Sequence, residues 1–383
     1  MNASNRVCLS IVASLGCALC VPSFADGPRA RALGIPFDGA PGRFDAITDV
    51  EGVTVGYSTL IEGEGKSAVR TGVTAILPRG KASNDKPVFA GVFSLNGNGE
   101  MTGTHWIEES GFLEGPVLIT NTHSVGVVRD ATIQWRIHHG AADASGYWWS
   151  LPVVAETYDG HLNDINGFHV KPEHVFAALD GAHGGAIAEG NVGGGTGMIC
   201  HEFKCGTGTS SRVVKVDKSE YRLGVLVQAN YGVRGELRIA GVPVGKVLQN
   251  DLLWSEPKDT GSIIIVIATD APLLPHQLKR LARRAALGLA RNGSYSGNGS
   301  GDIFIAFSTA NEAANQVTVS SLTALGNEQL DSLFLATAQA VEESIINAMI
   351  AAEPMTGYKG NKAAAIDHKA LIKLLKEHKA IAR

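Results

Sequence analysis

The segment Ser262-Ile263-Ile264-Ile265-Val266-Ile267-Ala268-Thr269 constrains what this chain can fold into more than any other stretch. Its unbroken apolar run is mostly β-branched. It suits an extended strand and leaves no polar face to turn toward water. Such a strand has to be covered on both sides, which excludes a single sheet with one wet face. The polar loop Ser255-Glu256-Pro257-Lys258-Asp259-Thr260-Gly261 leads into it, and Asp270-Ala271-Pro272 breaks it.

The rest of the chain supplies material for such layers. Strands are expected at Val53–Tyr57, Val73–Leu77, Val88–Ser94, Val117–Thr122, Val153–Thr157, Arg212–Val216, Leu223–Asn230 and Asp302–Thr309. Helical periodicity covers Val125–His138, Glu173–Glu189, His276–Arg291, Glu328–Ala352 and Asp367–Ala382. Asn292-Gly293 is a good stop for the third of these. Leu237–Leu248 reads as strand-turn-strand, with Gly241 and Gly245 as turn points. There is no internal repeat and no heptad pattern. Strands dominate the first half and helices the end, which fits stacked sheets covered by helices better than a doubly wound parallel sheet.

Composition agrees with a compact, turn-rich protein. The 383 residues suffice for two to three domain-sized units or one large α/β domain. Charged residues are 18%, against roughly 25% in an ordinary soluble chain, and glycine is 46 of 383. The net charge is −4 and no long basic run follows the N-terminus. With only 6% aromatic residues, a nucleic-acid surface is disfavoured.

Residues 1–25 read as a secretory signal peptide. Arg6 supplies a positive n-region, Val7–Val21 an apolar h-region too short to span a bilayer comfortably, and Ser23-Phe24-Ala25 a small-residue cleavage site. A lipoprotein is disfavoured, because Ser14 stands where a lipobox around Cys17 would want leucine. Export to the periplasm or medium is expected, with no membrane contact after the signal is removed. Cys8, Cys17 and Cys20 lie in the leader, so the mature chain keeps Cys200 and Cys205. These two form either one disulfide or a pair of small half-buried residues.

Several motifs fail on inspection. Gly65-Lys66-Ser67 lacks its first phosphate-loop glycine, because position 60 is Leu60. The run from Gly190 to Gly197 has no lysine and no acidic residue on a following strand, so it reads as a tight turn near a site. His201-Glu202-Phe203-Lys204 begins like a zincin helix, but position 205 is Cys205. No Gly-x-Ser-x-Gly elbow exists, and Ser83-Asn84-Asp85-Lys86 has no Lys-Thr-Gly companion. No metal or organic cofactor is implied.

The junction Gly261-Ser262, at the end of Asp259-Thr260-Gly261-Ser262, is the informative place for chemistry. Glycine before serine permits a positive-φ or strained backbone that brings the hydroxyl onto the preceding carbonyl. Cleavage by N→O acyl shift and hydrolysis would make Ser262 a new N-terminus. Its own α-amine, with an unperturbed pKa of about 8, would then serve as base for its hydroxyl. On its own this pattern reads rather as an ordinary loop-to-strand entry, since Gly-Ser is common. Glu156 is the other conspicuous residue. A carboxylate after Val153, Val154 and Ala155 needs a partner if buried, and a substrate amine is a reasonable one.

Runs spread over most of the mature chain carry a resemblance. They are Arg31–Gly39, Asn121–Gly126, Glu156–Gly160, Gly193–Met198, Gln228–Gly232, Gly261–Val266 and Gly299–Asp302. In their order the chain resembles the DmpA/BapA family of L-aminopeptidase D-amidase/esterases and β-peptidyl aminopeptidases, which are self-processing N-terminal-nucleophile hydrolases. The resemblance implies a four-layer α/β/β/α sandwich. It implies an α chain of residues 26–261 and a β chain of residues 262–383, together forming one domain. It also implies a homo-oligomer of such αβ units. By the same resemblance Ser262 is the nucleophile, and Ser300 orients or deprotonates it. Asp302 takes the acidic place beside Ser300, where some relatives carry glutamate. Asn230 donates to the oxyanion, Glu156 holds the substrate ammonium and Tyr158 is a second polarising donor. Short peptides or amino acid amides are the implied substrates, β-peptidyl or L-/D-amino acid. Read as structure alone, Asn230 could be a turn residue and Ser300 loop filler. Two other activities fit the same fold: a non-catalytic peptide-binding protein, and an acyltransferase, which would prefer threonine where Ser262 stands.

Overall fold

The apolar strand is buried on both faces. Ile263, Ile265 and Ile267 lie in one core and Ile264, Val266 and Ala268 in another. Each isoleucine or valine among them contributes about 1.5–3 kcal/mol relative to leaving it exposed. This computed structural model describes residues 27–140, 149–256, 259, 261–315 and 318–382. The expected signal peptide, with Cys8, Cys17 and Cys20, lies outside the described residues, as do Pro257, Lys258 and Thr260.

In chain order the strands are β1 (Thr54–Glu62), β2 (Val69–Lys81), β3 (Val88–Ser94), β4 (Phe112–Leu113), β5 (Val117–Asn121), β6 (Val153–Thr157), β7 (Ile199–Cys200), β8 (Phe203–Lys204), β9 (Thr207–Val216), β10 (Ser219–Asn230), β11 (Ser262–Thr269), β12 (Asp302–Ser308), β13 (Met355–Thr356) and β14 (Lys362–Ala363). The helices are α1 (Thr104–Ser110), α2 (Val125–His139), α3 (Pro172–Asp180), α4 (Pro275–Arg291), α5 (Asp331–Ile350) and α6 (His368–Glu377). The two large sheets run β1-β2-β5-β6 and β4-β3-β12-β11-β10-β9, and β7-β8 and β13-β14 are separate two-stranded ribbons. The pairs β5/β6 and β11/β12 are parallel, with α2 and α4 in their crossovers.

Three cores separate four layers. Helices α2 and α3 pack on the outer face of the four-stranded sheet through Val128, Trp135, Val175 and Leu179. The inner faces of the two sheets meet through Val55, Ile76 and Ile119 on one side and Leu226, Ile264 and Ile305 on the other. Helices α4, α5 and α6 cover the six-stranded sheet. The expected α/β/β/α sandwich is therefore what the chain forms.

Two expected elements are corrected. The helix expected over Glu173–Glu189 ends at Asp180, because Gly181, Gly184 and Gly185 follow and Gly185 takes a φ of 85°. Leu237–Leu248 forms no paired strands. Ala240 and Gly241 take φ of 49° and 76°, leaving one bridge between Ile239 and Val242 and a short 3-10 turn at Val244–Lys246. Helix α1, a short element with glycines in left-handed conformation at both ends, is not anticipated in the sequence.

Candidate active site

Sheet register assembles the site. Strand β10 ends where β11 begins, and Asn230 is the direct partner of Ser262. Because β12 runs parallel to β11, its first residue, Asp302, pairs with Ile263. Asn230, Ser262 and Asp302 thus lie together at one end of three neighbouring central strands, at 7%, 5% and 0% exposure. The interior is here reached by polar groups, which burial makes costly unless each is partnered.

The partners are present. The Ser300 hydroxyl donates to Asp302 Oδ1 at 2.6 Å. Burial pushes the Asp302 carboxyl above its usual range, opposed by the hydroxyls of Ser300 and Ser296. Asn230 is fixed at both ends of its amide. Its Oδ1 accepts the Ile199 N–H at 2.9 Å and its Nδ2 donates to the Tyr158 carbonyl at 2.9 Å. An amide nitrogen carries two hydrogens, so one remains for an oxyanion. Ile199 is positioned by the β7/β8 ribbon, which the Cys200–Cys205 disulfide closes. Of the two readings left open for these cysteines, the disulfide is the one found.

Gly261 departs from expectation in a useful way. It is not among the positive-φ glycines. What requires glycine there is close approach, since a Cβ would lie 1.7 Å from the Asn230 carbonyl oxygen. The residue before Ser262 is thus pressed against the backbone that carries Asn230.

Glu156 comes from the end of β6, at 3% exposure. Its Oε1 accepts the Glu100 N–H at 3.0 Å, and its Oε2 accepts the Thr122 hydroxyl. Burial raises its pKa, and these two bonds oppose the rise. A Cβ on Gly99 would touch both Gly301 and Glu156 Oε1, so the carboxylate stands beside the loop that leads into Asp302. No cation is paired with it within salt-bridge distance among the described residues. Tyr158 joins this group through its carbonyl, which accepts from Asn230, while its side chain turns outward. Its ring is half exposed, and its hydroxyl lies over Gly160. It lines a small cavity of roughly 70 Å³ together with His161, Asn230, Trp254 and Gly261.

Other contributors escape sequence reasoning. Glu100 acts through its main-chain N–H, which no side-chain pattern reports. Thr122 sits in a run already noted but carries no mark of its role. Asp159, next to Tyr158, is buried and pushed up to about 7 by desolvation, against hydrogen bonds from Thr71, Asn163 and Asn121. The glycine turn Gly193–Gly195 is buried between sheet ends, where a Cβ on Gly194 would lie 2.2 Å from Gln228 Oε1. His201 and Glu202 form a left-handed turn between β7 and β8 rather than a helix.

Known proteins match this arrangement over nearly the whole chain. The model of peptidase family S58 matches residues 45–363. The beta-peptidyl aminopeptidase BapA of Sphingosinicella microcystinivorans is 53% identical, over 96% of each chain. Among solved structures, the L-aminopeptidase D-Ala-esterase/amidase of Ochrobactrum anthropi is 51% identical with a TM-score of 0.88. The match covers 93% of this chain and 100% of that one. That protein is a prototype for the serine aminopeptidases and a variant of the Ntn-hydrolase fold. A beta-aminopeptidase of Burkholderia sp. is 49% identical with a TM-score of 0.84, covering 91% of this chain and 99% of that one. The chain belongs to peptidase family S58 and is a serine-type aminopeptidase with the Ntn-hydrolase fold.

Proposed function

We propose that the protein is an exported β-peptidyl aminopeptidase whose nucleophile, Ser262, is uncovered by self-cleavage at Gly261-Ser262. The observation that carries this reading is the register that sets Asn230 opposite Ser262 and Asp302 beside it, at one buried end of the central strands. After cleavage the Ser262 α-amine takes the hydroxyl proton as Oγ attacks the carbonyl of the substrate's first residue. Asn230 Nδ2 stabilises the oxyanion, a contribution of roughly 3–4 kcal/mol for one such donor in other acyl-transfer enzymes. Ser300, held by Asp302, keeps the amine and hydroxyl in register. The leaving amine takes the proton, and water then releases the acid from the acyl-enzyme. Glu156 grips the substrate ammonium by a charge-assisted bond, which restricts attack to the N-terminal residue. Tyr158 is a second donor at the rim of the cavity.

The β-amino acid preference is supported by the 53% identity to the BapA protein, a beta-peptidyl aminopeptidase, and by the Burkholderia beta-aminopeptidase. Export is supported by the leader pattern of residues 1–25 and by the Cys200–Cys205 disulfide, which suits an oxidising compartment. Assembly into an oligomer of αβ units belongs to the same proposal.

The test is a panel of p-nitroanilides of one side chain, presented as the β-amino acid, the L-α and the D-α forms, each also N-acetylated. The proposal expects the free-amine β form to be turned over fastest and every acetylated form to be inert. A faster L- or D-α substrate overturns the β preference. Acetylated substrates cleaved as well as free ones overturn the role of Glu156.

A further inference from the structure

We propose that Asp259 is a positioning residue for self-cleavage, holding the segment ahead of the scissile peptide between the two loops that flank Ser262. This rests on the self-cleavage reading above. The Asp259 carboxylate joins two main-chain donors from separate parts of the chain. Its Oδ1 accepts the Gly232 N–H at 3.1 Å and its Oδ2 accepts the Gly297 N–H at 3.0 Å.

Each partner leads directly to the reacting groups. Gly232 lies two residues beyond Asn230, the register partner of Ser262. The Gly297 carbonyl accepts the Ser300 N–H at 2.9 Å, and Ser300 in turn donates to Asp302. The loop is held from its other side by Asn96, whose Nδ2 donates to the Ser296 and Gly297 carbonyls at 2.8 Å each.

The segment is also anchored upstream. Glu202 Oε2 accepts the Leu253 N–H at 3.0 Å, and Arg234 Nη1 donates to the Leu248 and Asn250 carbonyls at 2.9 Å. Between those anchors and Ser262, Asp259 has the one side-chain hydrogen bonding found among the described residues of the approach. Gly261 then lies against Asn230 and Tyr231, so the same turn receives the chain at both positions. A carboxylate taking two N–H bonds is stronger and more directional than a neutral acceptor. It fixes where the Gly261 carbonyl sits.

The step it serves is balanced within the chain and one water. Ser262 Oγ bonds to the Gly261 carbonyl carbon, the bond from that carbon to the Ser262 nitrogen breaks, and the hydroxyl proton ends on that nitrogen. Water then hydrolyses the ester, leaving the Gly261 carboxyl group and the Ser262 hydroxyl and amine. Holding the carbonyl within reach of the hydroxyl speeds the first of these steps.

The experiment uses the full chain made by cell-free synthesis, with synthesis stopped and the fragments followed over time. The wild type should convert to two fragments. Asp259→Ala should convert roughly 10–100-fold more slowly, as expected for lost hydrogen bonds to a charged group. Asp259→Asn, which keeps one acceptor oxygen, should fall between them. The uncleaved Asp259→Ala/Ser262→Ala chain should still melt well above the assay temperature, lowered only modestly from Ser262→Ala by the two lost hydrogen bonds. Wild-type speed in Asp259→Ala overturns the proposal. So does a slow rate in a chain whose uncleaved double variant is already unfolding at the assay temperature, which assigns Asp259 to stability instead. A wild-type chain that stays whole, or a Ser262→Ala chain that is cut, overturns the self-cleavage reading and this proposal with it.

Discussion

At the scale of single residues, Glu156 shows activity and stability pulling in opposite directions. Burial favours its neutral form, while the Thr122 hydroxyl and the Glu100 N–H favour the carboxylate. Only the carboxylate grips a substrate ammonium, so kcat/KM for free-amine substrates should fall as pH drops through this raised pKa. Stability has the other sign. A carboxyl whose folded pKa lies above its unfolded one binds its proton more tightly when folded, so its contribution is present at low pH and lost as pH rises through the folded value. Glu156→Gln keeps the shape and removes the charge. It should lower kcat/KM on free-amine substrates roughly 100-fold, mainly through KM, the loss expected for one charge-assisted bond. Its melting temperature near neutral pH should equal or exceed that of the wild type. Kinetics and melting curves on the two proteins check both halves. Glu156 stands out in the sequence because a carboxylate closes an apolar strand, whereas Asn230 and Ser300 look like turn and loop residues until register places them.

At the scale of elements, the strands legible in the sequence are those whose side chains are apolar. Val88–Ser94 and Val153–Thr157 have the same bounds in sequence and structure. Strand β9 begins at Thr207, five residues before the apolar pattern shows, because its first half buries polar residues with their bonds met inside. Thr209 donates to the Val225 carbonyl at 2.7 Å and Ser210 to the Ala340 carbonyl at 2.7 Å. Such residues read as surface in a hydrophobicity pattern and are interior in fact. The β7/β8 ribbon is illegible for a different reason, being two residues a side. It is held by the Cys200–Cys205 bond and by Lys204, whose buried side-chain nitrogen donates to the Met198 and Cys205 carbonyls. The ribbon delivers the Ile199 N–H to Asn230. Replacing both cysteines with serine should therefore cost roughly 2 kcal/mol of stability, the chain-entropy value for so short a loop, and should lower kcat through a loosened Asn230. Denaturant titration and steady-state rates on the double variant measure the two effects.

At the scale of the whole molecule, contacts far apart in sequence decide what composition alone leaves open. The segment that precedes β1 is clamped by half-buried arginines paired with buried carboxylates. Arg29 reaches Glu189 at 2.7 Å, while Arg31 and Arg212 both reach Glu343 on α5, at 2.5 and 2.7 Å. Removing one arginine from such a set strands a buried carboxylate, so a single substitution here should be costly even though the intact pairs add little net stability. Helix α5 is long and apolar enough to cross a membrane, yet 83% of its apolar window is buried inside the protein, where it backs β9 and β10. The pairing of Asn230–Leu223 with Ser262–Thr269 spans the proposed break, so the two chains would stay together after cleavage. Intact mass of the purified protein under denaturing conditions, beside Ser262→Ala, tests the central claim most directly. The account predicts two fragments for the wild type, meeting at Gly261 and Ser262, and one whole chain for the variant. A wild-type protein that remains a single chain, with full aminopeptidase activity, would contradict it.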